Sequence, residues 1–144
     1  MRQIPRPQVI MELKAKGSTS IKALLLEDIG VSRLVLSTIL LRLHCEVTLA
    51  MNGKEAVDLF LAGKKFDIVL FDKNMPIMTC PEAIVKIRAM GETDVKMVGV
   101  SADNHAMEPF MSAGADLFVP KPMRMEALGP IIQEVFNKKK NEMA

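Results

Sequence analysis

A doubly wound α/β fold, one parallel sheet with helices on both faces, is predicted by two observations. Short apolar runs alternate with segments of helical period five times in succession from about Ile21 onward, and the run Phe66 to Asp72 is apolar almost without interruption. Strict alternation of strand and helix implies right-handed crossovers and therefore parallel strands. A strand buried on both faces loses its polar alternation, which places the Phe66 to Asp72 run at the centre of the sheet.

Residues 1–19 mix Pro, Arg, Lys, Gly and Ser without sustained period and are expected to form a loosely ordered leader, with a short helical turn open to Val9 to Leu13. The domain is expected over 20–138, and 139–144 as a basic tail. Ile21 to Leu26 is the first strand. After it Val31, Leu34, Val35, Thr38 and Ile39 recur at helical spacing. Cys45 to Ala50 is the second strand. Asn52 with Glu55 three residues on then reads as a capping box, and the helix that follows is expected to turn Ala56, Val57, Phe60 and Leu61 inward.

The third strand ends at Asp72. Pro81 opens the next helix in its first turn, where the missing N–H costs nothing, and that helix is expected to end near Met90-Gly91. Lys96 to Val100 and Asp116 to Val119 supply the fourth and fifth strands. A helix carrying Pro109 lies between them, and a last helix carrying Gly129-Pro130 runs toward Phe136. Each proline removes a helical hydrogen bond, so both helices are expected to be short or bent. Lys138 to Lys140 are expected as a solvated helix end.

Composition narrows the function. A chain of 144 residues suffices for one domain with one core. A net charge of +2 argues against an electrostatic nucleic-acid binder. No apolar run approaches the roughly 20 residues of a membrane span, and the start, Met1 to Pro7, is charged and broken by two prolines, unlike a secretory signal. The chain is expected to stay inside the cell, in the cytoplasm with the nucleus also open. Cys45 and Cys80 lack metal-ligand spacing and are expected to be packed free thiols.

The chemistry collects at strand ends. Glu27 and Asp28 follow the first strand, Asp72 ends the third, Ser101 follows the fourth and Lys121 follows the fifth. In a doubly wound sheet all of them reach the carboxyl edge, the usual ligand crevice. Three crowded carboxylates repel one another unless a cation sits among them. Oxygen donors without His or Cys favour a hard ion, Mg²⁺ above all. A metal and a lysine beside an aspartate suit phosphoryl transfer, with the carboxylate as nucleophile and the cations offsetting charge on the transferring oxygens. Ser101 and backbone N–H groups from Lys73 to Met75 are candidate donors to phosphoryl oxygens.

Together, Glu27-Asp28, Asp72-Lys73-Asn74-Met75-Pro76, Val100-Ser101-Ala102 and Lys121-Pro122 resemble the receiver domains of two-component response regulators, over roughly residues 20 to 138. No single piece is specific, but their order and spacing are. The resemblance implies a flavodoxin-like fold with strand order 2-1-3-4-5, which illustrates the ligand-crevice rule elsewhere in this fold class. It implies Asp72 as phosphoacceptor, Mg²⁺ (or Mn²⁺) held by Glu27, Asp28, Asp72 and the Asn74 backbone carbonyl, and Ser101 and Lys121 against the phosphoryl group. Phe118 takes the place of the aromatic that changes rotamer on activation. Asn74 and Asp103 stand where receivers tune hydrolysis, which implies a short phosphoryl lifetime, and the Lys121-Pro122 bond is implied to be cis. The Asp72 to Pro76 string is similar to plant type-C response regulators. The implied role is a stand-alone, monomeric receiver that takes its phosphoryl group from a histidine-phosphotransfer protein or histidine kinase and binds neither nucleic acid nor membrane.

Two departures stand out. Met75-Pro76-Ile77-Met78-Thr79-Cys80 lacks the Asp-Gly turn that receivers carry there, so Thr79 is expected as the helix cap instead. Glu27 replaces the more frequent Asp. Rival readings remain: a docking module with the same fold and no phosphorylation, or a small-substrate phosphatase of the haloacid dehalogenase type. The latter wants a second Asp where Asn74 stands. The missing glycine-rich phosphate loop argues against ATP or NAD. His44 and His105 show no partner pattern. An apolar face on the first helix, drawn from Ile29, Val31, Leu34 and Leu41, is the expected docking surface, since these cannot all point inward.

Overall fold

The computed structural model describes residues 20–27, 30–72 and 79–143, and the backbone alone at Val31, Asp72 and Met143. The leader, Asp28, Ile29, and the loop carrying Lys73, Asn74 and Met75 lie outside the described residues, as does every expectation placed on them. The elements run β1 (Ile21–Leu26), α1 (Gly30–Arg42), β2 (Cys45–Ala50), α2 (Gly53–Leu61), β3 (Ile68–Asp72), α3 (Cys80–Ala89), β4 (Lys96–Ser101), a 3-10 turn (Asn104–Ala106), α4 (Met107–Ala113), β5 (Leu117–Pro120) and α5 (Met125–Met143). All five strands are parallel, in the order β2-β1-β3-β4-β5. This is the doubly wound, flavodoxin-like (βα)5 arrangement, with the strand order that the resemblance implies.

Because side chains alternate along a strand, the sheet builds two cores. Leu24, Leu26, Val69, Phe71 and Met97 face one way, and Phe60 of α2, Ile84 and Ile87 of α3 and Phe110 of α4 pack onto them. On the other face Ala23, Leu25, Leu70, Val98 and Val100 meet Leu36 and Leu40 of α1 and Leu128, Ile132 and Val135 of α5. The central strands are thus covered on both sides, as their unbroken apolar runs require.

Local signals set most helix starts. Asn52 accepts the Glu55 N–H at 2.9 Å, but the Glu55 carboxylate turns back to the Met51 N–H at 2.7 Å, one residue short of a reciprocal box. Thr79 does form the full box: its hydroxyl accepts from the Glu82 N–H, and Glu82 accepts from the Thr79 N–H. Pro81 sits inside the first turn of α3. The Thr79 bonds hold the Glu82 carboxyl below its ordinary range.

On α1, Leu34 is 67% exposed, as the expected docking face requires, and Val35 is 49% exposed, while Leu36 and Leu40 take the packed side. Three expectations need correction. Leu61, the last residue of α2, is 68% exposed instead of inward, while Phe60 beside it is buried. The helix carrying Pro109, α4, is short as expected at seven residues, but not because of a lost bond: Pro109 falls in its first turn, where the missing N–H breaks none. Finally, α5 is neither short nor interrupted: it runs 19 residues through Pro130. That proline is exposed, so water can take the carbonyl it leaves without a partner.

The last helix also passes the expected tail boundary. Lys139 donates to the Ser20 carbonyl at 2.7 Å and to Asp67 at 2.9 Å, and Asp67 also accepts the Lys22 N–H at 2.8 Å. Lys139 is therefore part of the packed body rather than a solvated end. At the same amino edge of the sheet, Arg88 of α3 donates to the carbonyls of Glu92, Val95 and Gly114 and to the Asp116 carboxylate.

Candidate functional site

The carboxyl ends of β1, β3, β4 and β5 lie side by side, because Leu26 pairs with Phe71, Asp72 with Val100, and Ser101 with Pro120. Glu27 after β1, Ser101 at the end of β4 and Lys121 after β5 therefore come to one shared edge. Glu27 is 0% exposed, and its N–H is held by the Ala50 carbonyl of β2 at 3.3 Å. Lys121 is held from the other side, its N–H donating to the Ser101 carbonyl at 2.9 Å, and the Lys121-Pro122 peptide is cis.

Between them runs an ion pair, Lys121 Nζ to Glu27 Oε1 at 3.4 Å. At about 4.8 Å per strand, β5 lies about 14 Å from β1. The two side chains together cover that span, and the bridge crosses the ends of β4 and β3. Asp72 is the terminal residue of β3. A carboxylate removed from water is costly without a positive partner, and Lys121 supplies one. Arg33 of α1 adds a contact to the Glu27 carbonyl at 3.5 Å and one to the Met51 sulfur at 2.8 Å.

On β4, buried Ser101 accepts the Asp103 N–H at 3.0 Å. Asp103 in turn caps the 3-10 turn, its carboxylate accepting the His105 N–H at 2.9 Å and lying 3.2 Å from His105 Nδ1. His105 thus has a partner that the sequence did not disclose. A residue pair two positions apart in a turn of this kind leaves no periodic signal, though an Asp capping a turn is readable in hindsight.

Phe118 of β5 is half-buried and pairs in register with Gly99. Its ring lies 6.0 Å from that of Phe110, at a tilt of 42°. Phe110 is wholly buried and lies against Gly99 so closely that a Cβ there would stand 2.5 Å from the ring. The aromatic at position 118 is therefore braced by a second aromatic that the sequence did not single out.

For a divalent cation, the described donors are the buried Glu27 carboxylate beside the end of β3, where Asp72 stands; Asp28 and Asn74 lie outside the described residues. Among the described residues no group of three His, Cys, Asp or Glu side chains is gathered. The donors are oxygen only and buried next to a lysine, which fits a hard ion and not a thiolate or imidazole metal. Cys45 takes no part: it is buried away from the crevice, and burial pushes its thiol up to about 12.

A parallel sheet of this order, with an acid, a hydroxyl and a lysine at its carboxyl edge, is a flavodoxin-like fold with a polar crevice at its strand ends. The chain matches the response regulator receiver domain family over residues 23–133 and belongs to it. It is 55% identical over 134 residues to the two-component response regulator ORR42 of Oryza sativa subsp. japonica, across 93% of this chain and 100% of that protein. It is 33% identical to the two-component response regulator 24 of Arabidopsis thaliana, across 90% and 94% of the two chains. Among solved structures it resembles the receiver domain of the sensor histidine kinase PA1611 of Pseudomonas aeruginosa PAO1, whose crystal structure has a magnesium ion coordinated in the active site cleft. That likeness has a TM-score of 0.73 and 26% identity, covering 83% of this chain and 99% of the other.

Proposed function

We propose that this chain is a stand-alone phosphoacceptor of the plant type-C kind, which takes a phosphoryl group from a phosphohistidine donor onto Asp72 and then loses it to water. The observation that supports this best is the Lys121–Glu27 bridge laid across the strand end that carries Asp72. In the transfer step a carboxylate oxygen of Asp72 attacks phosphorus while the bond to the donor imidazole nitrogen breaks, its electron pair staying on the ring. The Lys121 ammonium and the Ser101 hydroxyl, both at this edge, would hold the negative charge of the phosphoryl oxygens, and positioning with electrostatics is all this chemistry asks of a protein. Mg²⁺ (or Mn²⁺), bound by Glu27, Asp28, Asp72 and the Asn74 carbonyl, would offset charge on the phosphoryl oxygens.

The donor is a histidine-phosphotransfer protein or histidine kinase, and the docking face is α1. Leu34 and Val35 stand exposed there. Beside them is a groove of about 410 Å³ between Ser32, Val35 and Leu36 of α1 and the segment Lys121 to Met123. An amphipathic helix carrying the phosphohistidine suits such a surface. Among the described residues no helix is long and apolar enough to cross a membrane. The reading places the chain as a monomer in the cytoplasm or nucleus, independent of nucleic acid.

The test is transfer of labelled phosphoryl from a phosphorylated histidine-phosphotransfer protein, with Mg²⁺ or chelator, to the native chain and to Asp72→Asn. Loss of donor label that needs both Mg²⁺ and Asp72 is expected. No transfer from several donors to a folded chain would replace this reading with the docking module. Leu34→Asp should slow transfer from the protein donor and leave loading by a small phosphoramidate unchanged.

A further inference from the structure

We propose that the first turn of α5 is a hinged wall of the donor groove, moving about Gly129-Pro130 together with Pro122 and Met123, so that the groove adapts to the helix it receives. The inference rests on the phosphoacceptor reading above and deepens it. Gly129-Pro130 itself is the first observation. Pro130 has no N–H to give the Glu126 carbonyl, so the first turn lacks one of the few bonds that would join it to the rest of the helix. Space does not demand the glycine: its φ is not positive, and among the described residues a Cβ there would meet only Leu43, at 4.0 Å, an ordinary contact. The proline is exposed. The two poorest helix formers thus stand side by side where packing calls for neither.

The fastening of α5 is one-sided. Glu134 pairs with Lys96 at 2.9 Å, Lys138 reaches the Asp94 carbonyl at 3.4 Å, and Lys139 holds Asp67 at 2.9 Å and the Ser20 carbonyl at 2.7 Å. Among the described residues, every side-chain hydrogen bond or ion pair from α5 to the rest of the fold lies beyond Pro130. At the other end, the Lys121 N–H is fixed to the Ser101 carbonyl at 2.9 Å. The piece from Pro122 to Leu128 therefore lies between two pivots, held to the sheet by the burial of Met123 and Leu128. Burial is non-directional, so it resists a small rotation less than bonded pairs do.

That piece borders the groove. Ser32, Val35 and Leu36 of α1 line one side, and Lys121, Pro122 and Met123 line the other. The first wall belongs to a helix packed through Leu36 and Leu40; the second is the start of the hinged piece. A helix that carries the phosphohistidine and seats its apolar side against Val35 displaces the second wall more easily than the first. The donor then binds in proportion to the population in which that wall has moved, and whatever stiffens the hinge lowers the apparent affinity by the same factor.

The experiment compares the native full chain with Gly129→Ala/Pro130→Ala, which restores the missing N–H and removes the glycine. Amide exchange in the first two turns of α5 should slow by about fivefold or more, the scale of a Gly-to-Ala change in a helix. Transfer from a phosphorylated histidine-phosphotransfer protein should weaken by a similar factor, as a higher KM with the maximal rate kept. Loading by a small phosphoramidate in Mg²⁺ should be unchanged. Gly129→Ala alone, with Pro130 in place, should shift exchange and KM in the same directions by less. A double variant that is more stable yet matches the native KM overturns the inference, and so does native exchange already as slow as the variant's. Absence of loading of the native chain by either donor overturns the phosphoacceptor reading itself, and is recognised before any variant is compared.

Discussion

The ammonium of Lys121 lies 3.4 Å from the carboxylate of Glu27, 94 residues earlier in the chain, and that carboxylate has no exposure to water. Replacing Lys121 with Gln leaves the acid buried with its charge less well met. The expected loss is about 1–3 kcal/mol, less than for a fully enclosed pair, because the lysine keeps some contact with solvent. Urea unfolding followed by far-ultraviolet circular dichroism measures it. Mg²⁺ at about 100 times its dissociation constant should add about 2.7 kcal/mol to the native chain, and chelator should remove it. A Lys121→Gln chain as stable as the native one in chelator would mean that the bridge is not a structural tie.

Gly99 is held to glycine by Phe110. An added methyl would enter the ring's own volume, at 2.5–2.8 Å from three of its carbons. Gly99→Ala should therefore cost about 1–3 kcal/mol. Phe110→Leu makes room, so the double variant should be more stable than the sum of the two single losses predicts. Strict additivity in a double-mutant cycle would refute the contact as the cause.

Arg88 joins α3 to the segments before β4 and β5 through three carbonyls and the Asp116 carboxylate. Its replacement by Leu keeps bulk and removes every donor. A loss of about 2–3 kcal/mol is expected, from carbonyls left without a partner. Phosphoryl loading should be unaffected in the fraction that remains folded, since Arg88 lies at the amino edge of the sheet. A loss of loading equal to that of Asp72→Asn would contradict that separation.

Cys45 gives a pH dependence with a definite sign. Burial, with the nearby Asp67 charge second, raises its thiol from 9.0 to about 12. Below pH 9 the thiol is protonated in both folded and unfolded chains and the stability is intact. As pH rises from 9 toward 12 the unfolded chain ionises first, so this stability is lost progressively. Cys45→Ala should flatten the alkaline limb of a stability profile measured by denaturant. In the native state at pH 8 neither Cys45 nor Cys80 should react with a thiol reagent, both being buried.

The sheet was legible in the sequence because burial on both faces writes unbroken apolar runs, and Val69 to Phe71 carry that mark plainly. Thr79 with Glu82 was legible for a different reason: a cap is a local contact between residue types that few other arrangements use. The packed side of α1, Leu36 and Leu40, was not named in advance, since Leu34 and Leu36 are equally apolar and only the neighbouring elements decide which one packs. Pro130 misled because a proline rule assumes a helix interior with no water beside it. At the crevice, position along the strands put Glu27, Ser101 and Lys121 together, whereas the Phe110 ring against Gly99 and the His105 ring beside Asp103 depend on how a turn and a short helix settle. Such contacts have no period to read.

The Lys139 bonds to Ser20 and Asp67 tie the final helix to the residue where the first strand begins. During synthesis that fastening becomes possible only after all five strands have been made. Until α5 has emerged, Val98 and Val100 on one face of the sheet lack the cover of Leu128, Ile132 and Val135. A nascent chain halted before α5 therefore exposes apolar surface beside α1 that the finished fold covers. For a protein engineer the same tie means that the two ends of the packed body are neighbours, and a short linker joining them would yield a ring or a circular permutant with its crevice untouched.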